Sequence, residues 1–281
     1  INFSEIIHGS GKSKKYSEIY NLEDQKILIT VRNKDISNVK WLPRSDKLSY
    51  SVDSEGESEI YVLDIKNGTE NPVAKGIKDL SDYTWSPTEE YIIYSEYKTA
   101  EEPGDLKRIY GNDDRLPYYR NRSFLHKIDV RTGEIIQLTA GNLSSSLNDI
   151  KPDGSKILFS TTRMDYSEVP FHKQNLYELD LKSNMLTTIW EDKLYSGYCQ
   201  YSPDGNKLLV QGGPECFGEM GVNVSKGRIP NSYDTQLYIF DLASKKVDPI
   251  TKNFDPSIGD AYWSKNNEIY VSVTEKDNEN L

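Results

Sequence analysis

The stretch that decides the fold is Tyr201-Ser202-Pro203-Asp204-Gly205-Asn206-Lys207-Leu208-Leu209-Val210. It comprises the end of one strand, a tight turn and the start of a second strand. Pro203 fits the first corner of a type I turn, Asp204 fits the second, and Gly205 fits the left-handed position that follows. A short apolar run then begins at Leu208, so the stretch predicts a β-hairpin.

This pattern recurs along the chain together with a second one. The turn-and-strand pattern occurs at five places, which begin at Trp41, Trp85, Ile150, Tyr201 and Trp263. In the second pattern an alternating strand ends at an aspartate and a hairpin turn; these aspartates are Asp64, Asp129, Asp180 and Asp241. Because recurrence in a fixed order is the signature of repeat proteins, the chain is predicted to consist of similar units.

Each unit comprises four strands joined by turns. The shortest spacing, from Pro43 to Pro87, is 44 residues, which matches a four-stranded propeller blade of about 40–45 residues. The predicted fold class is all-β, a β-propeller built of four-stranded antiparallel blades. A β-sandwich would also give short strands and turns, but not two patterns in fixed alternation. The blades are expected at about 37–76, 80–139, 146–190, 196–251 and 258–273.

The extent of the propeller leaves two alternatives. Residues 1–281 form a single propeller domain or a fragment of one, with four full blades and partial terminal ones. We favour this incomplete propeller because the sequence stops where a third strand of the last blade is expected. In the alternative, a hairpin at 17–31 completes the last blade and closes a five-bladed ring.

Three insertions lie between the second and third strands of their blades, at Tyr97–Arg122, Thr162–Gln174 and Gly212–Thr235. Since strand direction alternates, these inserts share one face of the propeller with the links between blades. The short repeat turns share the opposite face. Variable loops on one face of a rigid scaffold are the usual place for recognition, so binding is predicted at the insert face.

Composition excludes several classes of function. The net charge of −10 and the pI of about 5.0 argue against a nucleic-acid partner, because phosphate neutralisation requires clustered Lys and Arg. No apolar run approaches the length of roughly 18 residues needed for a membrane span. The two cysteines, Cys199 and Cys216, allow one disulfide or two buried thiols.

The repeat core resembles TolB-like and WD-repeat-like propeller units, whose pattern is Trp-Ser-Pro-Asp-Gly-Lys followed by an apolar strand. Four segments narrow the resemblance: Gly104–Ile109, Arg120–Leu125, Pro214–Gly218 and Ile229–Gln236. They are similar to the N-terminal propeller of bacterial prolyl oligopeptidase-family enzymes, in the dipeptidyl peptidase IV-like branch. This resemblance covers most of the chain, from the Trp41 unit onward.

The resemblance implies a serine exopeptidase in which a C-terminal α/β-hydrolase domain of the same parent chain follows the propeller. The propeller is expected to gate peptide substrates, and the family implies a periplasmic or cell-surface location. The family's nucleophile lies in Gly-x-Ser-x-Gly, and no two glycines of this chain lie four residues apart. No catalytic residue is therefore predicted here. The alternative functions are a stand-alone TolB-like scaffold that binds a protein partner, or a propeller acting on glycans.

Candidate binding residues lie in the first insert: Glu101, Glu102, Tyr118, Tyr119, Arg120 and Arg122. The paired glutamates offer charge-assisted acceptors to the free amine of a peptide, although a solvated acidic loop is the simpler interpretation. The Tyr and Arg types dominate binding hot spots, but this cluster can equally fasten the insert to its blade. No cofactor or metal site is predicted, since the His and Cys spacings match no zinc site.

Three tryptophans, Trp41, Trp85 and Trp263, share one position of the repeat, at the end of the first strand. A shared position in the frame favours the core between blades over a ligand-binding role. All three are therefore predicted to be buried.

Overall fold

The computed structural model describes residues 2–7, 12–32, 34–100, 104–105, 120–275 and 278–280. Within these residues the elements are antiparallel β-strands arranged in six separate sheets. The chain divides into two compact units, Ile1–Thr139 and Ala140–Leu281. This arrangement confirms the predicted all-β class with four-stranded antiparallel blades and shorter terminal sheets.

The first unit contains one three-stranded and two four-stranded sheets. The three-stranded sheet is formed by β1 (Asn2–Ile7), β2 (Lys12–Tyr20) and β3 (Ile27–Arg32). The next is formed by β4 (Ile36–Trp41), β5 (Lys47–Ser54), β6 (Glu57–Asp64) and β7 (Glu70–Lys78). The third is formed by β8 (Leu80–Trp85), β9 (Tyr91–Lys98), β10 (Arg122–Asp129) and β11 (Ile135–Gln137).

The second unit contains two four-stranded sheets and one three-stranded sheet. The first is formed by β12 (Ser145–Ile150), β13 (Lys156–Met164), β14 (His172–Asp180) and β15 (Leu186–Lys193). The second is formed by β16 (Ser196–Tyr201), β17 (Lys207–Gly212), β18 (Gln236–Asp241) and β19 (Val247–Pro249). The last is formed by β20 (Ser257–Trp263), β21 (Ile269–Glu275) and β22 (Asn278–Asn280).

The terminal sheets differ in detail from the sequence expectation. The last sheet has a third strand, β22, where only two strands were predicted. The hairpin predicted at 17–31 corresponds to β2 and β3, and β2 also pairs with β1. The closed ring formed by this hairpin and the last blade stays a prediction.

The repeat turns have the predicted chemistry. Gly205 has a φ of +69°, and its N–H donates to the carbonyl of Ser202 over 2.8 Å. At the second type of turn the recurring aspartate accepts bonds from its own loop. Asp180 Oδ1, for example, accepts from the N–H and the hydroxyl of Ser183, at 2.8 and 2.9 Å. These bonds hold the pKa of Asp180 below its usual value.

Apolar side chains fill the space between neighbouring sheets within each unit. In the first unit Ile60 and Ile77 of one four-stranded sheet pack with Trp85 and Ile92 of the next. In the second unit the two four-stranded sheets share a cluster that includes Leu158, Leu176, Trp190, Tyr201, Val210 and Phe240. Such face-to-face packing of successive sheets is the packing of propeller blades.

A register shift recurs in the first strand of five sheets: β4, β8, β12, β16 and β20. In β12 the shift frees Asn148 from its partner strand, and Asn148 Oδ1 accepts the Cys199 N–H of the next sheet over 3.0 Å. Asp149 Oδ2 accepts the Tyr201 N–H over 2.7 Å. One sheet later, Gln200 Oε1 accepts the Trp263 N–H over 2.8 Å. Asn148, which the shift leaves unpaired, and the paired residues Asp149 and Gln200 thus connect successive blades.

The structure corrects one of the three tryptophan predictions. Trp85 and Trp263 are buried, but 58% of Trp41 is exposed. Trp85 packs between two sheets, and its Nε1 donates to Ser49 Oγ over 2.7 Å. Ahead of β4, the described apolar side chains of β2 and β3 pack on Ile36, Tyr50 and Leu63 instead. The end of β4 that carries Trp41 consequently lacks a covering partner among the described residues.

Candidate functional site

The residues predicted for binding lie at the first insert, of which the structure describes only the ends. Glu101, Glu102, Tyr118 and Tyr119 lie outside the described residues. Arg120 and Arg122 are partly buried, and Arg122 Nη1 donates to the carbonyl of Asn121 over 2.8 Å. Their role in binding stays a prediction.

Asn121 joins the two stems of this insert. Its Oδ1 accepts the Ala100 N–H over 3.1 Å, and its Nδ2 donates to the hydroxyl of Tyr97 over 3.0 Å. The described part of the insert is therefore fastened to its blade by the residue between the two arginines.

A cavity of about 270 Å³ lies at the insert end of the second unit. The second insert, the third insert and the link between their blades all contribute to its wall. The lining residues are Thr162, Pro170, His172, Gln174, Lys193, Tyr195, Ser196, Gly197, Gln211, Gly212, Gly213, Ser232, Tyr233 and Thr235. Two of the three inserts thus meet around one concave site.

The second insert is held by an ion-pair network. Arg163 binds Asp192 through two bonds of 2.7 and 2.8 Å, and it also reaches Asp165 over 3.2 Å. Lys173 is buried and pairs with Asp165 and Glu168. Bonds from Ser167 and the two cations keep the pKa of Asp165 well below its usual value. Both cations of this network are therefore paired with carboxylates, on the insert and on β15.

The third insert is packed closely onto the end of its blade. The Gly213 N–H donates to the carbonyl of Tyr195 over 2.8 Å, and the Tyr238 hydroxyl donates to the Gly213 carbonyl over 2.8 Å. A Cβ on Gly213 would lie 1.8 Å from the carbonyl oxygen of Ser232. Glycine is required there because the backbone of the insert passes through the space a side chain would occupy.

Two polar groups of the cavity wall differ from their neighbours. The ammonium of Lys193 lies 4.4 Å from the ring centroid of Phe217 and 5.7 Å from that of Trp190. No carboxylate pairs with it among the described residues. Gln174 Nε2 donates to the carbonyl of Gly197 over 3.2 Å, whereas Gln174 Oε1 is buried without a described hydrogen-bond partner.

The cavity has binding groups rather than a nucleophile and base. In the described part of the chain, no hydrogen bond joins His172 to Ser196 or Ser232, and Ser232 donates instead to Glu215. Both cysteines are buried free thiols. Burial raises the pKa of Cys216 to about 11, against the opposing effects of Lys193 and Ser196. The thiol is therefore protonated at neutral pH and is a poor nucleophile.

Three further features of the described residues concern metal ligands, membrane-spanning helices and the buried His126. No cluster of three or more His, Cys, Asp or Glu side chains suited to a metal occurs in the described ranges. Among those same ranges there is no helix long and apolar enough to cross a membrane. His126 is buried, stacks on Tyr94 at 4.9 Å and lies 3.5 Å from Glu96, so it belongs to the packing of β9 and β10.

Known structures share this fold. Acylaminoacyl peptidase from Pyrococcus horikoshii aligns with 97% of this chain and 40% of its own, at 19% identity and a TM-score of 0.66. The β-propeller domain of the trilobed protease from Pyrococcus furiosus aligns with 97% of this chain and 73% of its own, at 16% identity and a TM-score of 0.61. A TolB homologue from Agrobacterium tumefaciens, described as putative, aligns with 95% of this chain and 80% of its own, at 16% identity and a TM-score of 0.56.

These likenesses define the class of protein: the chain is a β-propeller, and the resemblance predicted from its repeats is confirmed at the level of the fold. The chain spans 40% of the length of the acylaminoacyl peptidase. No protein-family model matches the sequence, and the curated proteins give no match either.

The cavity lies in the region that the sequence predicts for binding, but two of its wall residues were not predicted. The inserts 162–174 and 212–235 were predicted to carry recognition, and both line the cavity. Lys193 and Tyr195 were missed because Lys193 is the last residue of β15 and Tyr195 lies in the link to the next blade, outside all three inserts. The alternation of strand direction was the available signal, since it already placed such links on the face of the inserts.

Proposed function

We propose that this chain is the non-catalytic propeller of a serine exopeptidase of the prolyl oligopeptidase family, in the dipeptidyl peptidase IV-like branch. In this proposal a C-terminal α/β-hydrolase domain of the parent chain supplies the catalytic residues. The main observation in support of this proposal is that two inserts converge on one cavity, at the end of the blades opposite the repeat turns. The fold shared with acylaminoacyl peptidase supports the assignment.

The inserts would gate peptide access and contact the substrate. The second and third inserts expose apolar side chains, which are Tyr166, Val169, Phe171, Ile229 and Tyr233. Exposed apolar groups clustered on one end of a scaffold are typical of binding surfaces. The rings of Tyr195 and Tyr233 meet edge to face at 5.7 Å and form an aromatic wall.

Two experiments test this function. The coding sequence downstream of this chain is expected to contain a Gly-x-Ser-x-Gly segment, and the parent protein should react with a fluorophosphonate probe. The 281-residue chain alone should neither react with the probe nor cleave chromogenic Xaa-Pro dipeptides. Robust turnover by the chain alone, or a parent protein without the serine motif, would refute the proposal.

A second candidate is a stand-alone scaffold that binds a protein partner. The observation in its favour is the likeness to the TolB homologue, which this chain covers over 80% of that protein's length. A parent gene that ends with the propeller would decide for this scaffold.

A periplasmic or cell-surface location belongs to the proposal. Fractionation of cells that express the parent protein, followed by immunoblotting, tests it. Recovery in the cytosolic fraction would contradict this part of the proposal without affecting the domain assignment.

A further inference from the structure

We infer that the cavity of the second unit binds the free carboxylate at the end of a peptide, with Lys193 as the cation that receives it. This inference deepens the proposed function and rests on it for the peptide nature of the ligand. It assigns a role to Lys193 at the end of β15, rather than to the predicted residues of the first insert.

The charge distribution around the cavity favours an anionic ligand. The whole chain has a formal charge of −10, yet no described residue of the cavity wall is an Asp or a Glu. The nearby acids already have partners, since Asp192 and Asp165 bind Arg163 and Glu215 accepts a hydrogen bond from the wall residue Ser232. Lys193 is therefore a cation in an acidic protein without a carboxylate partner in the described residues, and an anionic ligand would complete it.

The position of the ammonium supports the same conclusion. Its contacts with the rings of Phe217 and Trp190 hold the side chain against the core of the blade. A cation held on aromatic faces loses little further freedom when it binds an anion, so the ligand meets a preorganised group. The Lys193 charge already acts on its surroundings, because it opposes the burial effect on the pKa of Cys216.

Gln174 identifies the second half of the ligand. Its amide nitrogen is committed to the Gly197 carbonyl, which leaves Oε1 buried without a described partner. A buried acceptor without a hydrogen bond is unfavourable, and a donor from the ligand would relieve it. A peptide with a free C-terminus presents both an N–H and an anion, because its last amide N–H is close to the carboxylate.

The dimensions and wall of the cavity fix the size of the ligand. About 270 Å³ is just below the usual volume of small-molecule pockets, so the cavity accommodates the terminal residue rather than an extended peptide. Tyr195, Tyr233 and Pro170 provide apolar wall. An aromatic or apolar C-terminal side chain is therefore expected to bind best.

Calorimetric titration of the 281-residue chain tests the inference with two probes, N-acetyl-glycyl-phenylalanine and its C-terminal amide. We expect the acid to bind at least about tenfold more tightly than the amide, as is typical for one charged hydrogen bond. Lys193→Met should abolish this preference and Lys193→Arg should retain it. Lys226→Met is the matched control, because Lys226 is an exposed lysine of the third insert that does not line the cavity.

Gln174→Leu separates the two halves of the ligand. This variant should weaken the binding of the acid and of the amide by the same factor. The reason is that it removes the acceptor for an N–H that both probes carry. Melting curves of all variants establish that each is folded before binding is compared.

The outcomes distinguish this inference from the proposed function. Equal binding of the acid and the amide would overturn the carboxylate site while leaving peptide contact by the inserts intact. An unchanged preference in Lys193→Met would overturn the role of that residue. Absence of binding by both probes would refute peptide recognition at this cavity, whereas probe labelling of the parent protein would still decide whether it is a serine peptidase.

Discussion

The two ends of the blades in the second unit differ in how many of their polar groups have partners within the chain. At the turn end, Asp180, Asp204 and Asp241 accept hydrogen bonds from their own turns, and these bonds lower their pKa values. At the insert end, Lys193 and Gln174 Oε1 have no described partner of this kind, and apolar side chains are exposed. The repeated end is self-sufficient, whereas the variable end has groups that a ligand can complete.

The largest expected effect concerns a buried position of the repeat frame. Trp85→Ala should lower the free energy of unfolding by about 3–5 kcal/mol, the usual cost of truncating a buried aromatic residue. Trp85 is 5% exposed and donates a hydrogen bond to Ser49. Chemical denaturation measures the change. Trp41→Ala is the matched control and should shift the free energy of unfolding by less than about 0.5 kcal/mol, as is typical of exposed positions. Equal losses in the two variants would show that the contribution of each tryptophan depends on its position in the repeat and not on its burial.

The next effect is a pH dependence of stability that is opposite in sign to that of the other carboxylates at the turn end. Burial raises the pKa of Asp149 to about 6 from its ordinary 3.8, despite bonds from the N–H groups of Tyr201 and Ile150. The contribution of Asp149 to stability is therefore fully present below pH 3.8 and is lost as pH rises through about 6. At 1.36 kcal/mol per pKa unit, the loss is about 3 kcal/mol.

Asp149→Asn keeps an oxygen acceptor for Tyr201 and removes the titration. Relative to the wild type, its melting temperature should therefore rise between pH 4 and pH 7. A melting temperature of Asp149→Asn that falls relative to the wild type between pH 4 and pH 7 would contradict the raised pKa of Asp149. Asp180→Asn is the comparison, because the pKa of Asp180 is lowered and its contribution is lost as pH falls.

A third effect tests how firmly the third insert is fixed. Gly213→Ala places a methyl group 1.8 Å from the Ser232 carbonyl and should cost about 1–3 kcal/mol, as overpacking does. It should also weaken peptide binding, because Ser232 lines the cavity. Gly218→Ala, where the φ is +66° and no atom lies within 4 Å, should cost about 1 kcal/mol through backbone strain alone. Unimpaired binding by Gly213→Ala would mean that the insert is not held at this contact.

The smallest effect is expected at the exposed apolar groups of the insert end. Ile229 is 92% exposed, so Ile229→Ser should change the free energy of unfolding by less than about 0.5 kcal/mol. If Ile229 contacts a partner domain or substrate, the same variant of the parent protein should show weakened peptide turnover. A marked fall in the melting temperature would instead show that Ile229 supports the fold.

The sequence predicted those features that depend on local chemistry. Gly205 at its positive φ and the hairpin aspartates follow from turn rules that apply wherever the residues occur. Burial of Trp41 could not be inferred in this way, because it depends on which side chains of another sheet cover it. The same limit applies to Lys193, whose importance arises from the pairing of Arg163 with the acids around it.

For the cavity the sequence predicted a region, whereas the binding residues that it predicted by name lie in the first insert. The inserts were identified from their length, since the repeat frame fixes where extra residues begin and end. Tyr and Arg clusters drew the prediction to the first insert, where Arg122 donates to the Asn121 carbonyl of the stem. Gln174 carried no such signal, because an unsatisfied acceptor is visible only when its surroundings are known.

The side-chain bonds from the first strand of one sheet to the next sheet limit how such a chain can be recombined. Asn148, Asp149 and Gln200 each bind the backbone of the following sheet at a fixed position. A blade transplanted or duplicated into this array would therefore join its neighbour firmly only if it brings an amide or carboxylate at the same point. The blades share one architecture but differ in the side chains that join them. A chimera therefore needs a matching residue at each junction to remain a cooperative unit.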